Sequence, residues 1–198
     1  QTILIKDILN TDCTLMGTTE YQSDDFSNPK WEVFGFPKNM QGKTFLDISC
    51  NTGWFSQKAS ECGAKVTGID IAWPLLDVAY DRVPNGKFVL SRVEDYNFGA
   101  DKHFDFVLCS SAFHYYQDRE RLIRDIASVT ETFVLELPLL VGEGQNIIYQ
   151  SNYVENFCAL CTEELILSWL NKYFKIVEKI GYTKQPNGDD RPVYKCIN

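Results

Sequence analysis

The stretch that decides the fold runs from Phe45 to Ser56 and reads FLDISCNTGWFS. A short apolar strand over 44–49 leads into a turn of small residues and then directly into a helix predicted over 54–62. Where the carboxyl end of a strand meets the amino end of a helix, free backbone N–H groups and the helix dipole form a polar cradle for a ligand. Gly53 in this turn can take a positive φ angle and lets a ligand approach the backbone closely.

The segments after this turn alternate between strand-like and helix-like patterns, which favours βαβ units and a mostly parallel sheet. The further strands are predicted over 64–70, 87–90, 104–109, 133–137, 174–182 and 191–196, and the further helices over 74–82, over 118–128 and from Thr162 onward. Asn187-Gly188 lies between the last two strands and indicates an antiparallel hairpin. The sequence therefore predicts an α/β fold with a doubly wound sheet of seven strands, mostly parallel and ending in a C-terminal antiparallel hairpin.

The division of the chain is expected to be simple. Residues 1–42 lack a regular pattern and are expected to form an irregular N-terminal extension, or short helices, that packs on the core, while residues 43–198 form one domain. The connection over 139–161 is long, and a loop of that length in a compact domain usually covers a site. Its glycines, Gly142 and Gly144, are suited to act as hinges of a lid.

Composition and charge restrict the classes of partner. The chain has 198 residues with 19 Lys and Arg against 27 Asp and Glu, a net charge of −8, which argues against a strong nonspecific grip on nucleic acid. It contains no apolar run long enough to span a membrane and no signal-peptide pattern at its first residues. The seven cysteines are scattered, which indicates free thiols in a reducing compartment, so a cytoplasmic location is expected. Cys158-x-x-Cys161 lacks two further ligands, so no metal is expected.

A second acidic residue follows the next predicted strand. Asp70 lies 17 residues after Gly53 (70 − 53 = 17), where an acid accepts hydrogen bonds from the two hydroxyls of a ribose. The G-x-G-x-x-G pattern of dinucleotide enzymes and the lysine of a P-loop are both absent from this segment, which disfavours an NAD(P)-linked oxidoreductase. The turn and the acid together indicate a nucleoside-binding site.

The spacing Asp47-x-Ser49-x-Asn51-x-Gly53 resembles the first motif of class I S-adenosylmethionine-dependent methyltransferases, acid-x-Gly-x-Gly-x-Gly. Within that superfamily, residues 46–56 and the strand over 133–137 look closest to the tRNA wobble-uridine methyl/carboxymethyltransferase-like group. The resemblance covers about residues 43–198 and implies a Rossmann-like fold with S-adenosyl-L-methionine as the cofactor. Ser49 and Asn51 stand at positions where the motif has glycines.

The resemblance also implies a cofactor site spread over four predicted strand ends. Its members are Asp47 with the turn residues Ser49, Asn51 and Gly53 for the methionine amino group, Asp70 for the ribose, Ile71, Val93 and Glu94 for the adenine, and Cys109 and Ser110 beside the sulfonium. Structural roles compete with three of these assignments: Asp47 as a cap of the following helix, Asp70 as an ordinary acid at a loop start, and Glu94 as a surface acid.

Methyl transfer from a sulfonium is an in-line displacement, in which holding the two reactants in position supplies most of the acceleration. A general base is needed only if the acceptor keeps its proton, and His114 is the candidate because an ordinary histidine pKa, about 6.5, suits that role. The related family commonly has Tyr-His where this chain has His114-Tyr115, so a structural role or a role beside the adenine stays open. An aromatic wall around the sulfonium is expected from Trp54, Phe113, Tyr115, Tyr149 and Tyr153.

The sequence thus predicts a cytoplasmic methyltransferase that acts on a hydroxyl of a small-molecule or glycan-type acceptor. Two alternatives remain: a tRNA-modifying methyltransferase that uses a local basic patch of Lys30, Lys38 and Lys43, and an S-adenosylmethionine-binding module that has lost catalysis. Binding with no turnover would favour the module.

Overall fold

The computed structural model describes residues 24–100, 103–140, 147–150, 157–185 and 188–198. The helices in these segments are α1 (Asp24–Phe34), α2 (Trp54–Glu61), α3 (Trp73–Arg82), α4 (Arg119–Ala127) and α5 (Glu163–Tyr173). The strands are β1 (Thr44–Ile48), β2 (Lys65–Asp70), β3 (Lys87–Leu90), β4 (Phe104–Ser110), β5 (Thr130–Glu136), β6 (Ile147–Gln150), β7 (Phe157–Leu160), β8 (Ile176–Lys184) and β9 (Asp190–Ile197). Short 3₁₀ helices span Val93–Asp95, Phe98–Ala100 and Phe113–Tyr115.

Seven of these strands form one sheet in the order β3-β2-β1-β4-β5-β9-β8. Strands β1 to β5 are parallel, whereas β9 runs antiparallel to β5 and forms a hairpin with β8. This is the predicted Rossmann-like sheet. Ile48 pairs with Ile69 of β2 and with Cys109 of β4, so the carboxyl ends of β1, β2 and β4 lie level. The strand order reverses between β1 and β4, and ligands of open α/β sheets bind in the crevice at such a point.

Apolar residues on both faces of the sheet explain its two helical layers. On one face, Phe45 of β1 packs with Phe34 of α1 and Phe55 of α2. On the opposite face, Leu46 packs into a larger cluster with residues of α4 and α5, among them Ile123. Because a parallel strand is buried on both sides, successive residues of β1 from Phe45 onward are all apolar except Asp47.

Local sequence signals set several helix boundaries as predicted. The Thr162 hydroxyl accepts a hydrogen bond from the Leu165 N–H at 3.3 Å and caps α5, which confirms the predicted start of this helix. Pro74 lies in the first turn of α3, where its missing N–H leaves no bond unmade.

The N-terminal extension contains a helix, α1, over Asp24–Phe34, which is one of the two readings that its sequence allowed; Pro29 lies inside this helix. Strand β5 begins at Thr130 rather than at 133, because its first residues are polar and are recruited by pairing with β4. Within the connection over 139–161, β6 and β7 form a small antiparallel sheet, whereas Gly142 and Gly144 lie outside the described residues.

The sequence predicted free thiols and no segment that spans a membrane. Among the cysteines whose side chains are described, Cys50, Cys109, Cys161 and Cys196 are free and buried, and Cys62 is free and partly buried. In the described segments no helix combines the length and the apolar character needed to cross a bilayer.

The close contact between the β1–α2 turn and α3 gives a stability test. A Cβ at Gly53 would lie 2.8 Å from the Cβ and 3.0 Å from the Cα of Ala79, and Gly53 has a φ of +75°. Gly42 has a similar φ, +77°, and a Cβ added there would meet nothing within 4 Å, so Gly42→Ala isolates the backbone cost. We expect Gly42→Ala to lower the free energy of unfolding by about 1 kcal/mol and Gly53→Ala by about 2–4 kcal/mol, measured by urea denaturation. If both variants lost the same free energy of unfolding, α3 would be shown to shift away from the added Cβ at no cost in stability.

Candidate functional site

The turn between β1 and α2 contains three residues in the left-handed region at alternate positions. Ser49 has a φ of 55°, Asn51 a φ of 53° and Gly53 a φ of 75°. These are the three positions at which the motif resembled by this segment has glycines. The two substituted residues therefore keep the glycine-type backbone, at a cost of about 1–2 kcal/mol for each residue that has a Cβ. Asparagine tolerates this conformation better than most residues.

Hydrogen bonds from other elements hold the two substituted residues in place. The Ser49 hydroxyl lies 2.7 Å from the Tyr116 hydroxyl, which comes from the segment after β4. The Asn51 N–H donates to Oδ2 of Asp70 at 2.9 Å, and the Asn51 side chain accepts from the Thr52 N–H at 2.7 Å. The unusual backbone of the turn is thus fixed by partners on β2 and beyond β4.

Asp70 ends β2 directly beside this turn, and its side chain is 8% exposed. Its second oxygen, Oδ1, accepts from the Ala72 N–H at 3.0 Å. Burial raises the pKa of Asp70, and the backbone N–H groups of Asn51, Ala72 and Ile71 oppose that rise. The carboxylate ties the β1 turn to the end of β2 and lies in the crevice where the ribose was predicted.

Asp47 lies deeper than the turn and is 2% exposed. Its Oδ2 accepts a hydrogen bond from the Ser56 hydroxyl, in the first turn of α2, at 2.7 Å. Burial raises the pKa of this carboxyl to about 7, against hydrogen bonds from the side chain and backbone of Ser56. The structural role weighed for Asp47, holding the start of the following helix, is therefore present in the fold.

The residues predicted for the adenine fall into an exposed and a buried group. Ile71 is 46% exposed just after Asp70, whereas Val93 is buried. Glu94 is partly buried, lies 3.8 Å from Arg92 and accepts from the Gln117 N–H at 3.4 Å. Trp73, which is also exposed, lies at the start of α3 and was not predicted as a site residue. The available signal in the sequence was a pair of apolar residues, Ile71 and Trp73, just after Asp70.

Cys109 and Ser110 end β4, next to the end of β1, but neither side chain is free in the crevice. Cys109 is fully buried, and burial raises the pKa of its thiol. The Ser110 hydroxyl donates to Oε2 of Glu136 at 2.6 Å. Ser110 is therefore part of a buried polar network at the ends of β4 and β5.

Glu136 is the centre of that network and was not predicted as a site residue. Its side chain is 0% exposed and lies 3.1 Å from Nζ of Lys30, which is 3% exposed. It also accepts from Ser111 at 2.7 Å, from Gln185 at 2.8 Å and from Thr183. Burial opposes the ionisation of Glu136, but Lys30 and the serine hydroxyls outweigh it and lower its pKa to about 2. The signal in the sequence was an acid at the end of an apolar strand, as at Asp47 and Asp70.

His114 lies in the 3₁₀ helix after β4 and is 5% exposed. Its ring packs against that of Tyr115 with centroids 4.1 Å apart and the ring planes inclined by 39°. Burial, Arg191 and Arg119 lower its pKa to about 3, although Glu136 acts in the opposite direction. His114 is therefore neutral at physiological pH and a weaker base than an ordinary histidine, in contrast to the basicity expected from the sequence.

The expected basic patch is not assembled, because its members lie apart. Lys30 is buried against Glu136 at the carboxyl edge of the sheet. Lys43 precedes β1 at the amino edge, where its Nζ lies 2.7 Å from Asp105. Of the predicted aromatic wall, Trp54 and Phe113 are buried in two different clusters, while Tyr153 and the side chain of Tyr149 lie outside the described residues. Among the described side chains, no group of three or more potential ligands is arranged to hold a metal ion.

The known proteins that this chain resembles in sequence include methyltransferases. Residues 46–132 match the family described as "Methyltransferase domain". The chain is 28% identical over 165 residues to malonyl-[acyl-carrier protein] O-methyltransferase 1 of Ilyobacter polytropus, covering 79% of this chain and 56% of that protein. It is 26% identical over 167 residues to tRNA U34 carboxymethyltransferase of Nautilia profundicola, covering 77% and 54%. The chain thus spans about half the length of these curated relatives.

Solved structures share the fold at low sequence identity. An S-adenosylmethionine dependent methyltransferase from Mesorhizobium loti superposes with a TM-score of 0.66 at 16% identity, covering 93% of this chain and 100% of that chain. The N-terminal domain of EvdMO1 with SAH bound gives 0.64 at 16% identity, covering 86% and 79%. Magnesium protoporphyrin IX methyltransferase from Synechocystis with bound SAM gives 0.64 at 15% identity, covering 100% and 85%. Residues 46–132 therefore match a methyltransferase domain, and the chain shares the fold of solved S-adenosylmethionine-dependent methyltransferases.

Proposed function

We propose that the protein transfers a methyl group from S-adenosylmethionine to a hydroxyl of a small-molecule or glycan-type acceptor. The observation that carries the proposal is the β1–α2 turn, which has three left-handed residues and is joined to the Asp70 carboxylate through the Asn51 N–H, at the reversal of strand order. The same edge of the sheet holds cofactors in folds of this type. The methyltransferase family match over 46–132 supports the choice of cofactor.

The donor side of the crevice is acidic and would bind a cationic cofactor. Asp70 has lone pairs beyond those used by the backbone, which would accept the ribose hydroxyls. Ile71 and Trp73 offer apolar surface beside it for the adenine. Asp47 would act on the methionine amino group with the backbone of Ser49 and Gly53, since a nearby ammonium favours the ionised form of a carboxyl whose pKa is about 7.

The transfer itself would depend mainly on position. Bound cofactor and acceptor meet in line over the ends of β1 and β4, and such positioning removes most of the barrier. His114 is neutral at physiological pH and would accept a proton from the acceptor hydroxyl as the bond to the methyl group forms. With a pKa of about 3 the imidazole is a weak base, so its contribution is expected to be modest.

The net charge and the positions of the lysines support a small acceptor over a nucleic acid. A net charge of −8, with Lys30 buried and Lys43 paired at the opposite edge, offers little for an RNA backbone. The similarity to the Nautilia tRNA U34 carboxymethyltransferase keeps tRNA as the second candidate. Methylation of a tRNA preparation but of no hydroxyl compound, in an assay for S-adenosylhomocysteine formation, would favour that candidate. Binding without turnover on any acceptor would favour a module that has lost catalysis.

The ribose assignment is tested with Asp70→Asn. We expect the dissociation constant for S-adenosylhomocysteine, measured by calorimetry, to rise about 10- to 100-fold, because a hydrogen-bonded carboxylate is lost. Asp77→Asn changes an exposed acid on α3 and is expected to bind normally. Asp70 also accepts from the backbone of the turn, so unfolding is followed separately. Unchanged affinity in a folded Asp70→Asn variant would place the ribose elsewhere.

The Ser49–Tyr116 pair is tested with a double-mutant cycle. Tyr116→Phe removes the hydroxyl that holds Ser49 at a φ of 55°, so weaker binding of S-adenosylhomocysteine is expected, by a factor of about 5. Ser49→Gly should restore affinity in the Tyr116→Phe background, since glycine takes this conformation without strain. Tyr80→Phe, which removes a tyrosine hydroxyl bonded to Phe88, is the control. If Ser49→Gly did not restore the affinity for S-adenosylhomocysteine, Tyr116 would affect binding by some means other than holding the backbone of Ser49.

The role of His114 is tested by pH dependence. Because its pKa is lowered to about 3, the imidazole stays in its basic form as pH rises from 5 to 8, and kcat/KM should show no histidine inflection near 6.5. His114→Gln should lower kcat about tenfold with unchanged affinity for S-adenosylhomocysteine, less than a well-matched base would lose. His103→Gln, at an exposed histidine, is the matched control. An unaltered kcat in His114→Gln would remove it as the base.

A further inference from the structure

Cationic side chains converge beside His114, on the side of the crevice away from Asp70. Lys30 is paired with Glu136; burial lowers the pKa of Lys30 and of His114, and Arg191 acts on both in the same direction. Arg119 acts on His114 in the same direction. Two arginines and the Glu136 carboxylate thus act on a neutral imidazole, next to the buried Lys30–Glu136 pair, in a chain whose net charge is −8. Such a local reversal of sign indicates a site for an anion.

The strand register places Arg191 at the mouth of this cluster. Val193 of β9 pairs with Glu136, the last residue of β5. Arg191, two residues before Val193, shares its face of the strand and lies about 7 Å further along, past the end of β5. Arg191 also pairs across the hairpin with Thr183, whose hydroxyl donates to Glu136. Arg191 is therefore next to the Glu136 network, on the carboxyl side of the sheet.

Glu136 is fully engaged and is not the partner of Arg191. It accepts from Lys30, Ser110, Ser111, Thr183 and Gln185. Among the described residues, no carboxylate forms an ion pair with Arg191, and its buried Nε has no hydrogen-bond partner. Nδ1 of His114 is likewise buried without a partner in those segments. Leaving a buried polar atom unpaired costs about 1–3 kcal/mol, and a bound ligand would remove that cost.

We propose that Arg191 and the Nδ1–H of neutral His114 donate hydrogen bonds to an anionic group of the acceptor, a carboxylate or a phosphate, at the edge formed by β4, β5 and β9, which leaves Nε2 of His114 as its basic atom. The proposal rests on the proposed function and adds the chemical class of the acceptor to it. The guanidinium can hold either anion with two parallel hydrogen bonds. Glu136 and Lys30 form the wall behind the site, and the Glu136 carboxylate keeps the neighbouring cations from repelling one another. The anion would hold the acceptor so that its hydroxyl faces the methyl group.

The experiment uses the two histidines of the chain as reporters. Protein saturated with S-adenosylhomocysteine is titrated with inorganic phosphate, and separately with acetate, at constant ionic strength, while the ring-nitrogen NMR signals are recorded. The His114 signals should shift and saturate, whereas those of the exposed His103 should not. Tighter saturation by phosphate assigns a phosphate, and tighter saturation by acetate assigns a carboxylate.

Two variants make the test specific. Arg191→Gln should weaken the anion response at least tenfold and leave the affinity for S-adenosylhomocysteine unchanged. Lys195→Gln makes the same change of charge on the same face of β9, about 14 Å further along, and should respond as the unmodified protein does. If Arg191→Gln does not fold, the test of the anion site is the NMR response in the unmodified protein, where the His114 signals should shift with added anion and the His103 signals should not.

The outcomes separate the two proposals. A His114 signal that responds to neither anion, or an Arg191→Gln variant that responds normally, overturns the anion site while binding of S-adenosylhomocysteine leaves the proposed function in place. Absence of S-adenosylhomocysteine binding overturns the proposed function and this site with it.

Discussion

The site depends on the hydrogen bonds that backbone N–H groups make to the Asp70 carboxylate. The N–H groups of Asn51 and Ala72 point at its two oxygens and so join the β1–α2 turn to the end of β2. Burial disfavours the charged form of this carboxyl, and these donors stabilise it in return. Without that anchor, nothing on β2 would hold Asn51 in its left-handed conformation. The shape of the crevice and its acidic character therefore have the same origin.

The sequence predicted the part of the molecule that local patterns determine. The order of strands and helices, the position of the turn and the acid at the end of β2 all follow from apolar runs and from residues a few positions apart. The left-handed backbone at Ser49 and Asn51 carried only a weak signal, since neither is glycine. It becomes understandable once Tyr116, distant in sequence, is seen to hold Ser49.

Long-range contacts explain what the sequence did not predict. The Glu136 network joins Lys30 of α1 with residues of β5 and β8, and no pattern along the chain relates them. The low basicity of His114 has the same cause, because burial and two arginines from α4 and β9 determine its pKa. The bounds of helix α1 could not be predicted since Pro29 interrupts its pattern, yet this helix supplies the buried lysine of the network.

The two ends of the crevice carry opposite charges, and this difference would separate the position of the methyl donor from that of the acceptor. Asp47 and Asp70 lie on the side proposed for a donor that carries a sulfonium and an ammonium group. Arg191 and Lys30 lie on the side proposed for an anionic acceptor. Since like charges placed face to face are costly, each substrate would be repelled from the other's position. A protein with a net charge of −8 can thus use an anionic acceptor, provided that positive charge is concentrated at the position where the acceptor binds. The buried Lys30–Glu136 pair then serves to keep that charge fixed beside the reacting groups rather than to add stability, which buried ion pairs seldom do.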